Sequence, residues 1–273
     1  MYRHSKILLI FTAVILFASS YPVKSYADFM DMVTHGPVRM DLLDFSDLKK
    51  WEAMRTSDVY EEQSRIVKEI LTLNDPAKVL ASLEWLNNNL KEDETYYVYP
   101  FMYALQLHRT KYVSDNPQAK MTALAMVYYS NLLLMTDAAR CDDKGVGTSL
   151  MYSLSKELAA VKEATKPLSP DKKMTAMNIA LFLEDENRGR RKHPVICHSG
   201  AGYMARALQS KNTKTTEAIA KEGNYRGHLP GSKVVTIEGG DDIDVFFVSD
   251  EEWHKKRDEI RDTFSKLLDK EKE

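Results

Sequence analysis

Cysteine is scarce in this sequence, which has only Cys141 and Cys197 among its 273 residues. In an oxidising compartment, an even pair without metal-like spacing is more often a disulfide than two free thiols. We therefore predict a Cys141–Cys197 bridge, which closes a loop of more than fifty residues and stabilises the fold by about 3–4 kcal/mol in the chain-entropy account. The alternative is a thiol nucleophile at Cys197 beside His198. Neighbouring residues at a helix start diverge by about 100°, so adjacency does not place the imidazole against the sulfur.

The sequence also lacks a strong excess of charge of either sign. Its formal net charge is −2, from 38 basic and 40 acidic residues, and the charges are mixed along the chain. A balance this even provides no electrostatic basis for binding nucleic acid or an anionic membrane. We therefore expect a partner of another kind.

Catalytic and metal-binding motifs are sparse. Asp241, Asp242 and Asp244 follow two glycines, but the distal glutamate of a helix–loop–helix calcium site is missing. No two of five histidines have the i, i+3 or i, i+4 spacing that would place them on one helix face: His108, His193, His198, His228 and His254. Ser199 has no nucleophile elbow around it. The sequence predicts no catalytic residue, no metal site and no cofactor.

Long apolar runs are confined to two places. The first is Ile7–Ala18, which follows Arg3 and Lys6 and precedes a polar stretch ending at Ala27. This three-part pattern is typical of a secretory signal peptide cleaved after Ala27. The run of 12 residues is short for a membrane span, so an uncleaved anchor is the alternative. We expect an exported protein, periplasmic or extracellular, with no membrane span after cleavage.

The second apolar run predicts a buried helix at the centre of the fold, residues 116–140. Asp115 or Asn116 can cap its first N–H groups, and Pro117 suits the first helical position. Apolar residues then recur on nearly every side, as at Leu124 and Leu132. Such a helix needs neighbours on several faces, and shorter amphipathic segments on both sides can supply them.

These segments predict a mainly α fold, an antiparallel helical bundle around the central helix. Asp75 with Pro76 marks one helix start, Thr148 marks another, and Ser249 with Glu252 marks the last. Short helices are expected at Ala201–Gln209 and Thr215–Glu222. The period changes at Val234–Ile237 and Ile243–Val248, which flank Gly239-Gly240 and predict one small β-hairpin near the C-terminus. The expected organisation is a signal peptide at 1–27, a helical domain at 28–222, and a hairpin with a charged helix at 223–273 packed on the same domain.

Two candidate functions are compatible with these sequence features. The first is an exported, non-catalytic helical protein that binds another protein or a cell-envelope component, through a groove between helices or the charged C-terminal helix. The tyrosine-rich segment Tyr96–Tyr103 could line such a groove, although aromatics at helical spacing are usually core. The alternative is an envelope-acting hydrolase that cleaves glycan with paired carboxylates, Glu184 with Glu186 or Glu61 with Glu62.

Overall fold

A computed structural model describes residues 45–55, 60–90, 96–110, 116–143, 145–198, 200–210, 214–219, 233–238 and 244–269. This part of the chain is mostly helical. The predicted signal peptide, residues 1–27, lies outside it. No helix among the described residues is long and apolar enough to cross a membrane.

The elements are named here in chain order. The helices are α1 (Phe45–Arg55), α2 (Tyr60–Thr72), α3 (Pro76–Asn89), α4 (Val98–Arg109), α5 (Pro117–Ala138), α6 (Val146–Glu157), α7 (Ala159–Thr165), α8 (Pro170–Glu186), α9 (Pro194–Cys197), α10 (Ala201–Gln209) and α11 (Asp250–Asp269). The strands are β1 (Lys214–Ile219) and β2 (Lys233–Glu238), between α10 and α11.

Helix α5 is the predicted central helix. The Asn116 side chain accepts hydrogen bonds from the N–H groups of Gln118 and Ala119, so Asn116 is the cap of the two candidates that the sequence offers. Helices α4, α6, α7, α8 and α11 all contact α5, and most of its side chains are buried. Because its neighbours lie on several sides, the uniform apolar character of this stretch is accounted for.

The other predicted helix starts are largely correct. The Asp75 carboxylate accepts from the N–H groups of Ala77 and Lys78 at the start of α3. The Ser249 hydroxyl accepts from Glu252 N at the start of α11. Thr148, expected as a cap, instead lies inside α6, which begins at Val146. Short polar side chains before a helix satisfy N–H groups that have no partner within it.

The structure does not show the predicted C-terminal hairpin. β2 pairs antiparallel with β1, with Thr236 opposite Thr216, and not with residues 244–248, the part of the predicted second strand that the structure describes. The predicted helix Thr215–Glu222 is therefore wrong over β1. The β-branched residues Thr215, Thr216 and Ile219 favour a strand once a partner strand is available. The pairing also joins the two sides of the predicted boundary at 222/223, while the domain limits themselves stay a prediction.

The predicted Cys141–Cys197 disulfide is confirmed. The two Cα atoms are 5.5 Å apart, and the bridge joins residues 56 positions apart in sequence. Cys141 lies just after the end of α5, and Cys197 ends α9. The sulfur of Cys197 is therefore bonded, which rules out the thiol nucleophile considered above.

We expect Cys141→Ser and Cys197→Ser to lower the free energy of unfolding equally, by about 3–4 kcal/mol, because either change returns the freedom of a long loop to the unfolded chain. Urea denaturation checks this, with the double variant expected to match either single variant. Intact-mass measurement should show two hydrogens added on reduction. A Cys197 thiol that reacts with an alkylating reagent in native, oxidised protein would contradict the bridge.

Candidate functional site

Residues 244–248 run extended beside the end of α5. Val248 N donates to Arg140 O at 2.8 Å, and Asp142 N donates to Phe246 O at 3.0 Å. Cys141 and Phe247 are opposite each other in an antiparallel β-bridge between the two segments. Side chains alternate between the faces of an extended segment, so Val245 and Phe247 pack against the small apolar cluster around the disulfide. Phe246 points the other way and is 52% exposed.

A pocket of about 240 Å³ opens next to Phe246. The disulfide forms part of its wall, and its remaining lining comes from the loop after α5 and from the first two turns of α10. The lining residues are Cys141, Asp142, Asp143, Cys197, Gly202, Arg206 and Phe246. The covalent bridge therefore fixes the separation of the two walls that it joins.

Asp143 holds this loop against the start of α10. Its Oδ1 accepts from Gly145 N at 2.9 Å, and its Oδ2 accepts from Gly202 N. These backbone hydrogen bonds hold the pKa of the Asp143 carboxyl below its ordinary value. A Cβ on Gly200 would overlap this carboxyl and lie 2.8 Å from Val146 Cγ2, so only glycine fits that close approach. Both carboxylate oxygens of Asp143 therefore accept hydrogen bonds that hold the pocket wall together.

Arg206 is an exposed cation next to the exposed aromatic ring. Its guanidinium carbon lies 5.0 Å from the centroid of Phe246, within the range of a cation–π contact. Its Nη2 donates a long hydrogen bond of 3.4 Å to Asp244 O. We call residues 244–248, Arg206 and the pocket the Phe246 surface. It combines an aromatic group, a cation and a concave wall.

His198 does not support catalysis at Cys197. Its ring stacks on Tyr203, with centroids 4.3 Å apart and an angle of 14° between the planes. Tyr203 is buried on the inner face of α10. The stack therefore helps to attach α10 to the chain just after the disulfide.

Glu184, a candidate acid of the hydrolase alternative, is fully buried in an ion network. Arg257 donates to both of its oxygens, at 2.9 and 2.8 Å, and Arg190 donates to Oε1 at 3.1 Å. Arg261 also donates to Oε2. Burial by itself would raise the pKa of Glu184, but these arginines lower it below its ordinary value. A carboxyl with a lowered pKa is ionised at neutral pH and cannot donate a proton as a general acid.

The same network fastens α11 to α5. Arg190 Nε donates to Asp137 Oδ1 at 2.8 Å, which extends the network to the last turn of α5. Trp253 Nε1 donates to Thr136 O at 2.8 Å, and the Arg140 guanidinium lies 3.9 Å from the Trp253 ring centroid. Charge and aromatic contacts together therefore position the C-terminal helix.

The structure gives different environments to the other candidate residues from the sequence. Glu186 is exposed, so it does not share the buried site of Glu184. Tyr99 and Tyr103 are buried in the main core, as aromatics at helical spacing usually are. Among the described residues, no three histidine, cysteine, aspartate or glutamate side chains form a metal-binding group. Of the remaining candidate carboxylates, Asp244 is exposed. The others fall outside the described side chains: Glu61, Glu62, Asp241 and Asp242.

Two residues of the Phe246 surface were missed by the sequence analysis. Phe246 belongs to the apolar run Val245–Val248, and in an extended segment alternation should have turned one of its phenylalanines outward. Arg206 carried no signal, because a charge on a short helix is usually only solvated. Arg257 did carry a signal, since it occupies the inward stripe with Trp253, Ile260 and Phe264.

No protein-family model, no curated protein and no solved structure matches this chain.

Proposed function

We propose that this is an exported, non-catalytic helical protein that binds another protein or a cell-envelope component through the Phe246 surface. The observation that carries the proposal is the exposed Phe246 ring, covered on one side by Arg206 and set at the mouth of the disulfide pocket. Aromatic and arginine side chains beside a concave wall are typical of binding hot spots.

The rigidity of this surface supports the proposal. The Phe246 segment is hydrogen-bonded to residues 140 and 142, on either side of a disulfide cysteine. Asp143 links the pocket loop to α10 through Gly202 N. A surface held in place before binding loses less conformational entropy when a partner docks.

Export is supported by two features of the sequence and the fold. The N-terminus has the pattern of a signal peptide, and the only two cysteines are bridged. Structural disulfides persist mainly in oxidising compartments. Periplasmic or extracellular residence therefore suits both features.

The test uses a photo-crosslinking amino acid placed at Phe246 in the cell. Leu208 is the matched control, since it is 54% exposed on α10, where its direction differs from that of Arg206 by about 160° around the helix axis. We expect position 246 to give a discrete covalent adduct and position 208 to give none. Mass spectrometry of the adduct then identifies what is bound.

For the partner identified in this way, we expect Phe246→Ala to weaken binding by about thirtyfold, the effect of losing a hot-spot side chain worth about 2 kcal/mol. Leu208→Ala should leave binding unchanged. Both variants should unfold at the wild-type temperature, because both side chains are exposed. Equal adducts at the two positions, or unchanged binding by Phe246→Ala, would contradict the proposal.

A further inference from the structure

The segment 244–248 has two main-chain edges, and within the described part of the chain only one of them is paired. Phe246 O and Val248 N bond to residues 142 and 140. The main-chain groups of successive residues in a strand face opposite edges, so those of Val245 and Phe247 face away from residues 140–142. Neither Val245 nor Phe247 makes a main-chain hydrogen bond with any described residue. The outer edge therefore offers two N–H donors and two C=O acceptors.

The segment lacks the residues that usually prevent another strand from pairing with an exposed edge. It reads Asp-Val-Phe-Phe-Val and contains neither the proline nor the lysine with which proteins discourage strand addition. Its β-branched and aromatic residues suit a strand. Phe246 is half exposed on one face and is available to a side chain directly across the edge.

We propose that the outer edge of residues 244–248 binds an extended segment of the partner protein as an added strand. This inference rests on the proposed function and names the kind of partner. The main chain of the segment supplies four hydrogen bonds, to Val245 and Phe247. An apolar side chain opposite Phe246 packs against its ring, because aromatic residues pair favourably across neighbouring strands.

Charge at the ends of the edge indicates what flanks this apolar residue. Asp244 is exposed at one end, and Asp250, Glu251 and Glu252 are exposed just beyond the other. Lys192 bonds to Asp250 and Lys256 bonds to Glu252, so Glu251 provides the excess of acid at that end. The complementary segment is therefore apolar at its centre and basic on both sides.

The length of the edge favours a peptide segment over a second copy of this chain. Five residues of strand span about 17 Å. A stable interface between two folded bodies buries about 1,200–2,000 Å², much more than so short an edge supplies by itself. An extended segment needs only the hydrogen bonds and a few side-chain contacts.

The experiment measures fluorescence anisotropy of short labelled peptides with the mature protein. The first peptide has Lys-Val-Phe-Val-Lys at its centre, the second replaces both lysines by glutamate, and the third is the first with N-methyl groups on its central amides. We expect the first to bind, the second to bind about 3–10-fold more weakly because two ion pairs become two repulsions, and the third to lose binding. High salt should reduce the difference between the first two.

A backbone variant of the protein provides the matching test. Val245→Pro removes an N–H from the outer edge and should abolish binding of the first peptide, whereas Val245→Ala keeps the N–H and should bind it within about twofold. Circular dichroism should show the same helix content in both variants. Equal binding of the N-methylated peptide, or binding that survives in folded Val245→Pro, overturns strand addition.

Three further outcomes separate this inference from the proposed function. If the crosslink at Phe246 forms while Val245→Pro still binds the crosslinked partner, the surface is correct and strand addition is wrong. If sedimentation shows a dimer that Val245→Pro dissociates, the outer edge binds a second copy, which also overturns the peptide. If no crosslink forms at Phe246, the proposed function fails as well.

Discussion

Glu184→Gln is expected to lower the free energy of unfolding by about 3–5 kcal/mol, the range found when one partner of a buried ion pair is removed. Glutamine keeps the shape of the side chain but removes the charge that Arg190, Arg257 and Arg261 share. Arg190 retains Asp137, whereas Arg261 keeps the partly exposed Asp185, and Arg257 keeps Asp185 and the exposed Asp258. Against a total stability of about 5–15 kcal/mol, the loss is large.

Urea denaturation at pH 7 measures this effect. Glu186→Gln is the matched control, because Glu186 is on the same helix, two residues further on, and exposed. We expect the control to stay within about 0.5 kcal/mol of wild type. If both variants lose the same stability, the buried network around Glu184 does not hold α11 in place.

The effect of Glu184→Gln should also depend on pH. The pKa of Glu184 is lowered in the folded protein from its ordinary value of 4.5. Below about pH 4.5 the unfolded chain takes up the proton first, so the stability from ionised Glu184 is present above that pH and is lost as the pH falls through the folded pKa. The difference between wild type and Glu184→Gln should therefore be constant near neutral pH and shrink in acid.

Leu132→Asp is expected to unfold the protein at neutral pH. Leu132 lies on α5 and is completely buried. An uncompensated carboxylate at such a position costs several kcal/mol, and the lost apolar contacts add about 2–5 kcal/mol. The sum reaches the total stability of an ordinary domain.

Far-UV circular dichroism and thermal unfolding check this result. Leu132→Met is the matched control, since it conserves volume and apolar character and should cost less than about 1.5 kcal/mol. A folded, cooperative Leu132→Asp protein would place this side of α5 at the surface and contradict the central position of the helix.

Much of the helical architecture was predictable from the sequence. Pro117 and the apolar residues after it predict α5, because a capped start and a run without a polar face are local properties of the chain. The caps at Asp75 and Ser249 were predictable for the same reason. The disulfide was predictable because Cys141 and Cys197 are each other's only candidates in the chain.

The choice of strand partner was decided by tertiary structure. The sequence indicates that Val234–Ile237 and Ile243–Val248 are extended, but it does not specify which segment each one pairs with. β2 pairs with β1, and residues 246 and 248 bond to 140 and 142. Strand pairing is a competition between distant segments, so the glycines at 239 and 240 could not decide it locally.

The ion network and the Phe246 surface also depend on the folded chain. The sequence by itself determined where several helices begin, which stretch is buried in the middle, and which cysteines bond. Only the fold brings Glu184 to Arg257, 73 residues away, and Phe246 to Arg206. The periodicity and the cap of a helix are properties of a short stretch of sequence, so they can be predicted locally. The partner of a charge or of a strand edge depends instead on which distant elements pack beside it.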